Sequence, residues 1–258
     1  SYQLKQEEPF LPKGFEIATE QLAYKGTWKN DIKIEGASKI TVEKKANTTV
    51  FKSDKAEITF DKKTGFISGY SFNNQPIIKD GYQLRPNLWR APNDNDFGAN
   101  FQVNLKAWKD ATENPTLVNW TFTPTKDNKI LVKATYSLPQ VSSTLELNYE
   151  LNGNGELVVK EVLNIDKNKE QPILPRFGME VIVPRYFSNM TYYGRGPHEN
   201  YIDRNYSSKV GLYTQTVSEQ YYPYIRPQET GNKTDVRFLE LSGDKLKLTV
   251  TSDEILAV

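Results

Sequence analysis

The stretch AEITFDKKTGFISGYSFNNQPI, residues 56–77, decides the fold class. Apolar and polar residues alternate on both sides of the turn sequence Lys63-Thr64-Gly65, and a second turn follows at Asn73-Asn74. Alternation with a period of two is typical of half-buried β-strands, and glycine and asparagine are favoured in tight turns. The stretch therefore predicts two antiparallel strands joined by a tight turn.

The same alternation continues along most of the chain. It recurs in KITVEKK (39–45), ILVKATYSL (130–138), STLELNYEL (143–151), GELVVKEVLNI (155–165) and FLELSGDKLKLTVTS (238–252). Helical periodicity is confined to 99–113, where Phe101, Leu105 and Trp108 fall at helical spacing, and it allows one short helix at most. We therefore predict an all-β fold with little helix.

Composition and charge exclude several classes of function. The 258 residues are enough for one large β domain or two medium ones. The formal charge is +1, so we expect neither nucleic acid nor a membrane as a partner. The first residues lack the apolar core of a signal peptide, which leaves a cytoplasmic, periplasmic or secreted location open. The chain has no cysteine and one histidine, His198, so it cannot form disulfides, a cysteine-ligated zinc site or a metal site with two histidines.

Both ends of the sequence have the appearance of internal boundaries. Residues 1–25 contain an extended polar segment without an obvious partner strand, and the last residues follow a strong strand without a closing turn. We expect 1–45 to be the tail of a preceding domain plus a linker. We expect 46–258 to be a large β domain that continues beyond Val258.

Two segments interrupt the strand pattern with dense polar residues. The first is LRPNLWRAPNDNDFGAN (84–100), in which Arg90 precedes Asn93, Asp94, Asn95, Asp96 and Gly98. The second is TYYGRGPHENYIDRNY (191–206), which carries Arg195, His198, Glu199, Asn200, Tyr201, Asp203 and Arg204.

The residue types of these two segments allow three interpretations. Planar Arg, Asp and Asn groups beside Trp or Tyr rings are suited to binding sugars. Clustered Asp and Asn oxygens can hold a hard cation, but the ligand spacing of a calcium loop is absent. Arg–Asp pairs can also simply brace long loops on the sheet. Glu199 and Asp203 are of the right type for glycoside hydrolysis, but nothing in the sequence selects two carboxylates as a catalytic pair.

Three motifs together resemble a known family. RAPNDNDFG (90–98), YYGRGPHENYIDR (192–204) and YYPYIRPQETGNKTDVRFLEL (221–241) resemble the C-terminal, small-chain region (domain 5) of family 2 glycoside hydrolases of the lacZ-type β-galactosidase group. The resemblance implies a large antiparallel β-supersandwich like that of galactose mutarotases. It also implies that GFEIATEQLAY (14–24) ends a preceding immunoglobulin-like domain.

The resemblance further implies a role beside an active site. In the family this domain packs against a catalytic (β/α)₈ barrel and shapes the rim of its active site, which includes a mobile loop. Carried over, the rim residues are Asn93, Asp94, Asn95, Asp96 and Gly98, and the loop runs from Gly98 to about Asn104. The segment after Gly98 differs in composition from familiar members, which leaves the aglycone open.

The resemblance implies an activity for a longer protein rather than for this chain. That protein hydrolyses terminal non-reducing β-D-galactosides with retention, and both catalytic glutamates belong to the barrel upstream of residue 1. We therefore expect no catalytic residue, metal or cofactor in this chain. Mg²⁺ and Na⁺ are candidate cofactors of the longer protein, whose oligomeric state, homo-oligomeric or not, stays open. The alternative is a stand-alone carbohydrate-binding module.

Overall fold

The computed structural model describes residues 1–22, 24, 26, 28–30, 32–35 and 38–258. The prediction of an all-β fold is confirmed, because the described residues form antiparallel sheets with three short helices. The strands are β1 (Tyr2–Gln3), β2 (Glu16–Ala18), β3 (Thr41–Lys44), β4 (Thr48–Lys52), β5 (Ala56–Asp61), β6 (Ile67–Phe72), β7 (Gln75–Pro76), β8 (Arg85–Pro86), β9 (Thr116–Pro124), β10 (Lys129–Leu138), β11 (Ser143–Asn152), β12 (Leu157–Ile165), β13 (Met179–Glu180), β14 (Asn189–Gly196), β15 (Lys209–Thr216), β16 (Val236–Ser242) and β17 (Lys247–Leu256). The helices are α1 (Asp94–Gly98), α2 (Phe101–Asn104) and α3 (Lys106–Glu113).

The strands form three larger sheets and two small ones. The larger sheets have the strand orders β3-β4-β5-β6-β7, β12-β11-β10-β9 and β15-β14-β16-β17. The pairs β1-β2 and β8-β13 are the small sheets. No helix among the described residues is long and apolar enough to cross a membrane.

The predicted hairpin at 56–77 is present as β5 and β6, with Ala56 opposite Phe72. The Asp61 carboxylate accepts hydrogen bonds from the amides of Lys63 (2.7 Å) and Thr64 (3.0 Å), which closes the turn. Gly65 has φ +73°, and a Cβ atom there would lie 2.7 Å from the Tyr136 hydroxyl. The turn therefore requires glycine at this position.

The main core lies between the sheet of β3–β7 and the sheet of β9–β12. The ring of Phe60 on β5 contacts that of Tyr149 on β11 at 5.1 Å and that of Trp120 on β9 at 5.6 Å between centroids. Alternate residues of β10 and β11 are buried, as expected for strands with one face in a core. The third sheet has a smaller cluster of its own around Met190, Tyr192 and Val236.

The helical segment is more extensive than predicted. Two helices, α2 and α3, occupy the region where the sequence allows one, and Leu105 is the junction between them. Helix α2 is in turn separated from α1 by Asn100, which has a left-handed backbone (φ 54°). Phe101 and Trp108 are buried, so the periodicity correctly marked the inward face.

The boundary expected between 45 and 46 stays a prediction. Strand β3 hydrogen-bonds to β4 across it, with Thr41 opposite Lys52. Within the segment assigned to the tail and linker, six positions lie outside the described residues: Ala23, Lys25, Thr27, Asp31, Gly36 and Ala37. The expected end of the preceding domain, 14–24, includes the first of them.

Candidate functional site

The polar run at 93–96 folds into the first turn of α1. The Asn93 side chain accepts a hydrogen bond from the amide of Asp96 at 3.0 Å, and the Asp96 carboxylate accepts one from the amide of Asn93 at 2.8 Å. This reciprocal pair is a capping box, which satisfies amides that have no partner inside a helix. The Asn-Asp-Asn-Asp sequence therefore specifies a helix start with two acidic residues in its first turn.

Beneath α1, Arg90 is held by carboxylates on two sides. It donates to both oxygens of Asp96, at 2.5 and 2.9 Å, and one Glu229 oxygen lies 3.6 Å from its Nη1. Glu229 also accepts from Arg176 at 2.5 Å. Burial disfavours the charge on Arg90, but the hydrogen bond and charge of Asp96 outweigh it and hold the pKa of Arg90 above its usual value. These four residues form a layer that fixes α1 to the domain, and we call it the ion-pair layer.

The carboxylate of Glu199, in the second motif, accepts hydrogen bonds from four groups. It accepts from Arg204 at 2.9 Å, from Thr230 at 2.8 Å, from the amide of Gly231 at 2.6 Å and from the Tyr224 hydroxyl. Burial raises the pKa of this carboxyl, but the hydrogen bonds from Gly231, Arg204 and Thr230 together outweigh it and hold the pKa below its usual value. Glu199 is therefore an ionised anchor for the loops around it.

The third motif joins the first two. Asp94 accepts from Arg226 at 3.4 Å and from Gln228 at 3.3 Å, and the amide of Glu229 donates to Pro92 at 3.3 Å. Asn95 donates to Asp203 at 3.2 Å, which links the first motif directly to the second. Segments separated by more than one hundred residues thus meet at one place on the surface.

The meeting point presents an exposed polar surface, which we call the rim face. It consists of Asp94, Asn95, Asp203, Arg204 and Arg226. The Arg226 guanidinium lies 4.9 Å from the Phe97 ring centroid, and that of Arg204 lies 4.5 Å from the Tyr201 ring centroid. Carboxylate, amide and guanidinium groups thus lie side by side above the partly buried ion-pair layer.

Other predicted residues of the second motif brace the loops. Arg195 pairs with Asp235 at 2.5 Å and donates to the carbonyls of Asn205 and Ser208 at 3.3 and 2.8 Å. Asn200 is fully buried. It donates to the Arg195 and His198 carbonyls at 3.0 Å each and accepts from Thr234. Arg195 and Asn200 are thus structural, Tyr201 is buried beneath Arg204, and His198 is exposed.

The segment from Gly98 to Asn104, predicted as a mobile loop, comprises the end of α1, a break and α2. Gly98 is exposed, and a Cβ atom on it would meet no atom within 4 Å. The left-handed residue is Asn100 rather than the glycine. Its mobility stays a prediction.

Sequence reasoning missed four residues that contact α1 or the ion pairs beneath it, namely Arg176, Arg226, Gln228 and Glu229. Arg226 lies in the third motif, directly before Pro227. Glu229 and Gln228 lie in the third motif, in the polar run after Pro227, so the resemblance contained a signal for them. Arg176 carried no such signal, because it lies in an irregular segment far from either polar motif.

The carboxylates of α1 do not suit a hard cation. Asp94 and Asp96 each face a guanidinium group, which occupies the oxygens that Mg²⁺ or Ca²⁺ would use. Among the described residues, no group of three His, Asp or Glu side chains is arranged to hold a metal ion.

One carboxyl with a strongly raised pKa lies away from the rim face. Glu161 is on β12, in the same row as Leu157, Val159 and Leu163, which pack against the main core. Burial raises the pKa of Glu161 to about 8, and its Oε1 atom has no hydrogen-bond partner among the described residues. A raised pKa suits a general acid, but this group faces the interior of the sandwich.

Comparison with known proteins places these features in a family. The family model described as "Beta galactosidase small chain" matches residues 52–255. The chain is 29% identical over 245 residues to a β-galactosidase of Priestia megaterium, covering 95% of this chain and 23% of that protein. It is 31% identical over 252 residues to a β-galactosidase of Lactobacillus delbrueckii subsp. bulgaricus, covering 97% of this chain and 24% of that protein. It is 33% identical over 218 residues to a β-galactosidase of Clostridium acetobutylicum, covering 84% of this chain and 24% of that protein. The chain spans about a quarter of the length of the curated relatives it matches.

Proposed function

The chain belongs to the β-galactosidase small-chain family, and on that premise we propose that it is the C-terminal domain of a lacZ-type family 2 glycoside hydrolase. The longer protein hydrolyses terminal non-reducing β-D-galactosides with retention of configuration. This domain shapes the rim of the active site and supplies no catalytic carboxylate.

The observation that carries this proposal is the convergence of the three polar motifs at the rim face. Residues 90–98, 199–204 and 226–231 meet through direct side-chain contacts, including Asn95–Asp203 and Asp94–Arg226. Planar groups that can pair with adjacent hydroxyls are suited to orienting a sugar. Because the ion-pair layer holds them from below, these groups are preorganised before a substrate arrives.

The state of the carboxylates supports a rim rather than a catalytic pair. Retaining hydrolysis needs one carboxylate free to attack and one carboxylic acid with a raised pKa. Asp96 and Glu229 face Arg90, and the pKa of Glu199 is lowered. We propose that the two catalytic glutamates lie in the catalytic barrel of the longer protein.

The loops next to the rim face suit contact with that barrel. Five large apolar side chains are exposed there: Ile202, Tyr206, Tyr221, Tyr222 and Ile225. Exposed apolar groups clustered beside polar ones are typical of surfaces that another protein domain covers. We propose that the barrel packs on this side, with the rim face at the edge of the contact.

The test uses Gly98→Ala in the full-length protein, with o-nitrophenyl β-D-galactoside as the substrate. A Cβ atom at Gly98 meets no neighbour, so the fold and the thermal midpoint should not change. If 98–104 moves with the substrate, the stiffer backbone should change kcat/KM by about fivefold or more.

Asp94→Asn tests the rim charge, and Asp54→Asn is its matched control because Asp54 is exposed in the turn between β4 and β5. We expect a raised KM for Asp94→Asn and wild-type kinetics for Asp54→Asn. Wild-type kcat and KM in both Gly98→Ala and Asp94→Asn would contradict the rim assignment. Turnover by the chain alone that is lost on replacing one of its own carboxylates would contradict the absence of a catalytic pair.

A second candidate function is that of a carbohydrate-binding module. The observation that favours it is a separate cavity beside Tyr82, outside the rim face.

A further inference from the structure

A polar cavity of about 520 Å³ lies beside the small sheet of β8 and β13. Its lining includes Ser68, Asp80, Tyr82, Gln83, Arg85 and Glu180. The volume falls within the range of small-molecule sites, which is roughly 300–1,000 Å³. None of these residues belongs to the rim face or to the ion-pair layer.

A tight turn presents the Tyr82 ring to this cavity. The amide of Tyr82 donates to the Lys79 carbonyl at 3.1 Å, and the amide of Lys79 donates to Ile182 at 2.8 Å, which ties the turn to the segment after β13. Gly81 has φ +80°, the conformation that favours glycine at the third position of such a turn. The Lys79 ammonium lies 5.0 Å from the ring centroid and covers one face. Tyr82 is 41% exposed and lines the cavity, so part of its ring is accessible to a ligand.

Hydrogen bonds orient the polar side of the cavity. Arg85 donates from Nε (3.2 Å) and Nη2 (3.0 Å) to one Glu180 oxygen, and Asn87 donates to the other at 3.2 Å. Gln83 donates to Thr64 at 3.2 Å, which fixes its amide. Arg85 keeps its Nη1 hydrogens and Gln83 its carbonyl oxygen for a ligand, and the exposed Asp80 carboxylate adds an acceptor.

The charges of the lining select the class of ligand. Arg85 and Lys79, the latter over the Tyr82 ring, balance the two carboxylates of Asp80 and Glu180. The site therefore has no net positive charge to offset the cost of desolvating an anion. Fixed donors and acceptors beside an exposed ring match a neutral polyhydroxylated ring, whose C–H face stacks while its hydroxyls pair with planar groups. A second cavity of similar volume, lined by residues such as Ser143, Asn164 and Lys169, has no aromatic residue in its lining.

We propose that the cavity beside Tyr82 is a second carbohydrate-binding site, which takes one neutral pyranose unit. The Tyr82 ring stacks on the sugar, while Arg85, Gln83 and Asp80 bind its hydroxyls. The proposal does not depend on the activity of the longer protein.

The test is a titration of the ¹⁵N-labelled chain followed by amide chemical shifts. The probes are methyl β-D-galactoside, methyl β-D-glucoside and, as an anionic comparator, sodium D-galacturonate. We expect saturable shifts confined to 79–85 and 180–182 for at least one neutral sugar, with a dissociation constant of about 1–20 mM. Galacturonate should bind more weakly than the neutral sugars.

Variants separate stacking from general effects. Tyr82→Ala should weaken binding by about tenfold, whereas Tyr82→Phe should stay within about twofold because the ring remains. Asp80→Asn provides a second variant, since Asp80 is exposed, and it should also weaken binding. Tyr24→Ala, at another exposed tyrosine, is the matched control and should bind as the wild type does.

Any one of three results would overturn the proposal. They are the absence of a saturable shift at 79–85 up to about 50 mM neutral sugar, an affinity of Tyr82→Ala equal to that of the wild type, or tighter binding of galacturonate than of the neutral sugars. Shifts confined to 93–98 and 199–204 would support the rim face while refuting the second site. The two proposals can therefore fail independently.

Discussion

Replacing Glu161 by glutamine should change how the stability of the chain depends on pH. The folded chain holds the pKa of this carboxyl at about 8, whereas the ordinary value is 4.5. Below pH 4.5 the group is protonated in both states. Between pH 4.5 and 8 the unfolded chain releases the proton and the folded chain keeps it, so the free energy of unfolding falls as pH rises. Above pH 8 both states are ionised and the loss is complete.

The size of the effect follows from the same two values. Each pH unit between them lowers the free energy of unfolding by up to about 1.4 kcal/mol, so the whole interval, 8 minus 4.5, gives at most about 5 kcal/mol. Glutamine keeps the shape and cannot ionise. The free energy of unfolding of Glu161→Gln, relative to that of the wild type, should therefore rise by up to about 5 kcal/mol between pH 4.5 and 8.5.

Urea unfolding at several pH values measures this difference directly. Subtracting the variant from the wild type removes the contribution of all other titrating groups. Glu43→Gln is the matched control, because it makes the same substitution at an exposed strand glutamate on β3. Parallel stability curves for wild type and Glu161→Gln would refute the burial of a neutral carboxyl at this position.

Two further predictions concern backbone positions. Gly65→Ala should destabilise the chain by about 2–4 kcal/mol, because it combines a left-handed φ with a Cβ atom 2.7 Å from the Tyr136 hydroxyl; an unchanged urea midpoint would contradict the tight turn. Asn93→Ala should cost about 1 kcal/mol through the lost cap on the Asp96 amide, and in the full-length protein it should also lower kcat/KM. Wild-type stability and kinetics would show that the cap does not position α1.

The sandwich could be predicted from sequence because its signals are local. The 56–77 stretch shows a period of two, and Gly65 lies in its turn with a φ of +73°, which glycine adopts readily. Glu161 also carried a local signal, since it interrupts the apolar row of Leu157, Val159 and Leu163. Elements of this kind are specified within about ten residues of chain.

The arrangement of the site could be predicted only in part, because long-range pairing creates it. The sequence indicated residues 93–96 and 199–204 as polar motifs, but it could not show that Asn95 meets Asp203. Helix α1 has no apolar periodicity and forms through its cap and the ion pairs of Arg90. The Arg90–Asp96 pair is local, but the pair with Glu229, which Arg176 also contacts, forms only in the folded chain.

The proposal that this domain shapes the rim is tested most directly by hydrogen exchange in the full-length protein. A galactosyl inhibitor bound to the active site should slow amide exchange at 93–104 and 199–204, because these segments form the rim face and the predicted mobile loop. Strands β10 and β11, which lie in the core, should be unaffected. Inhibitor binding that leaves exchange at 93–104 and 199–204 unchanged would contradict the account.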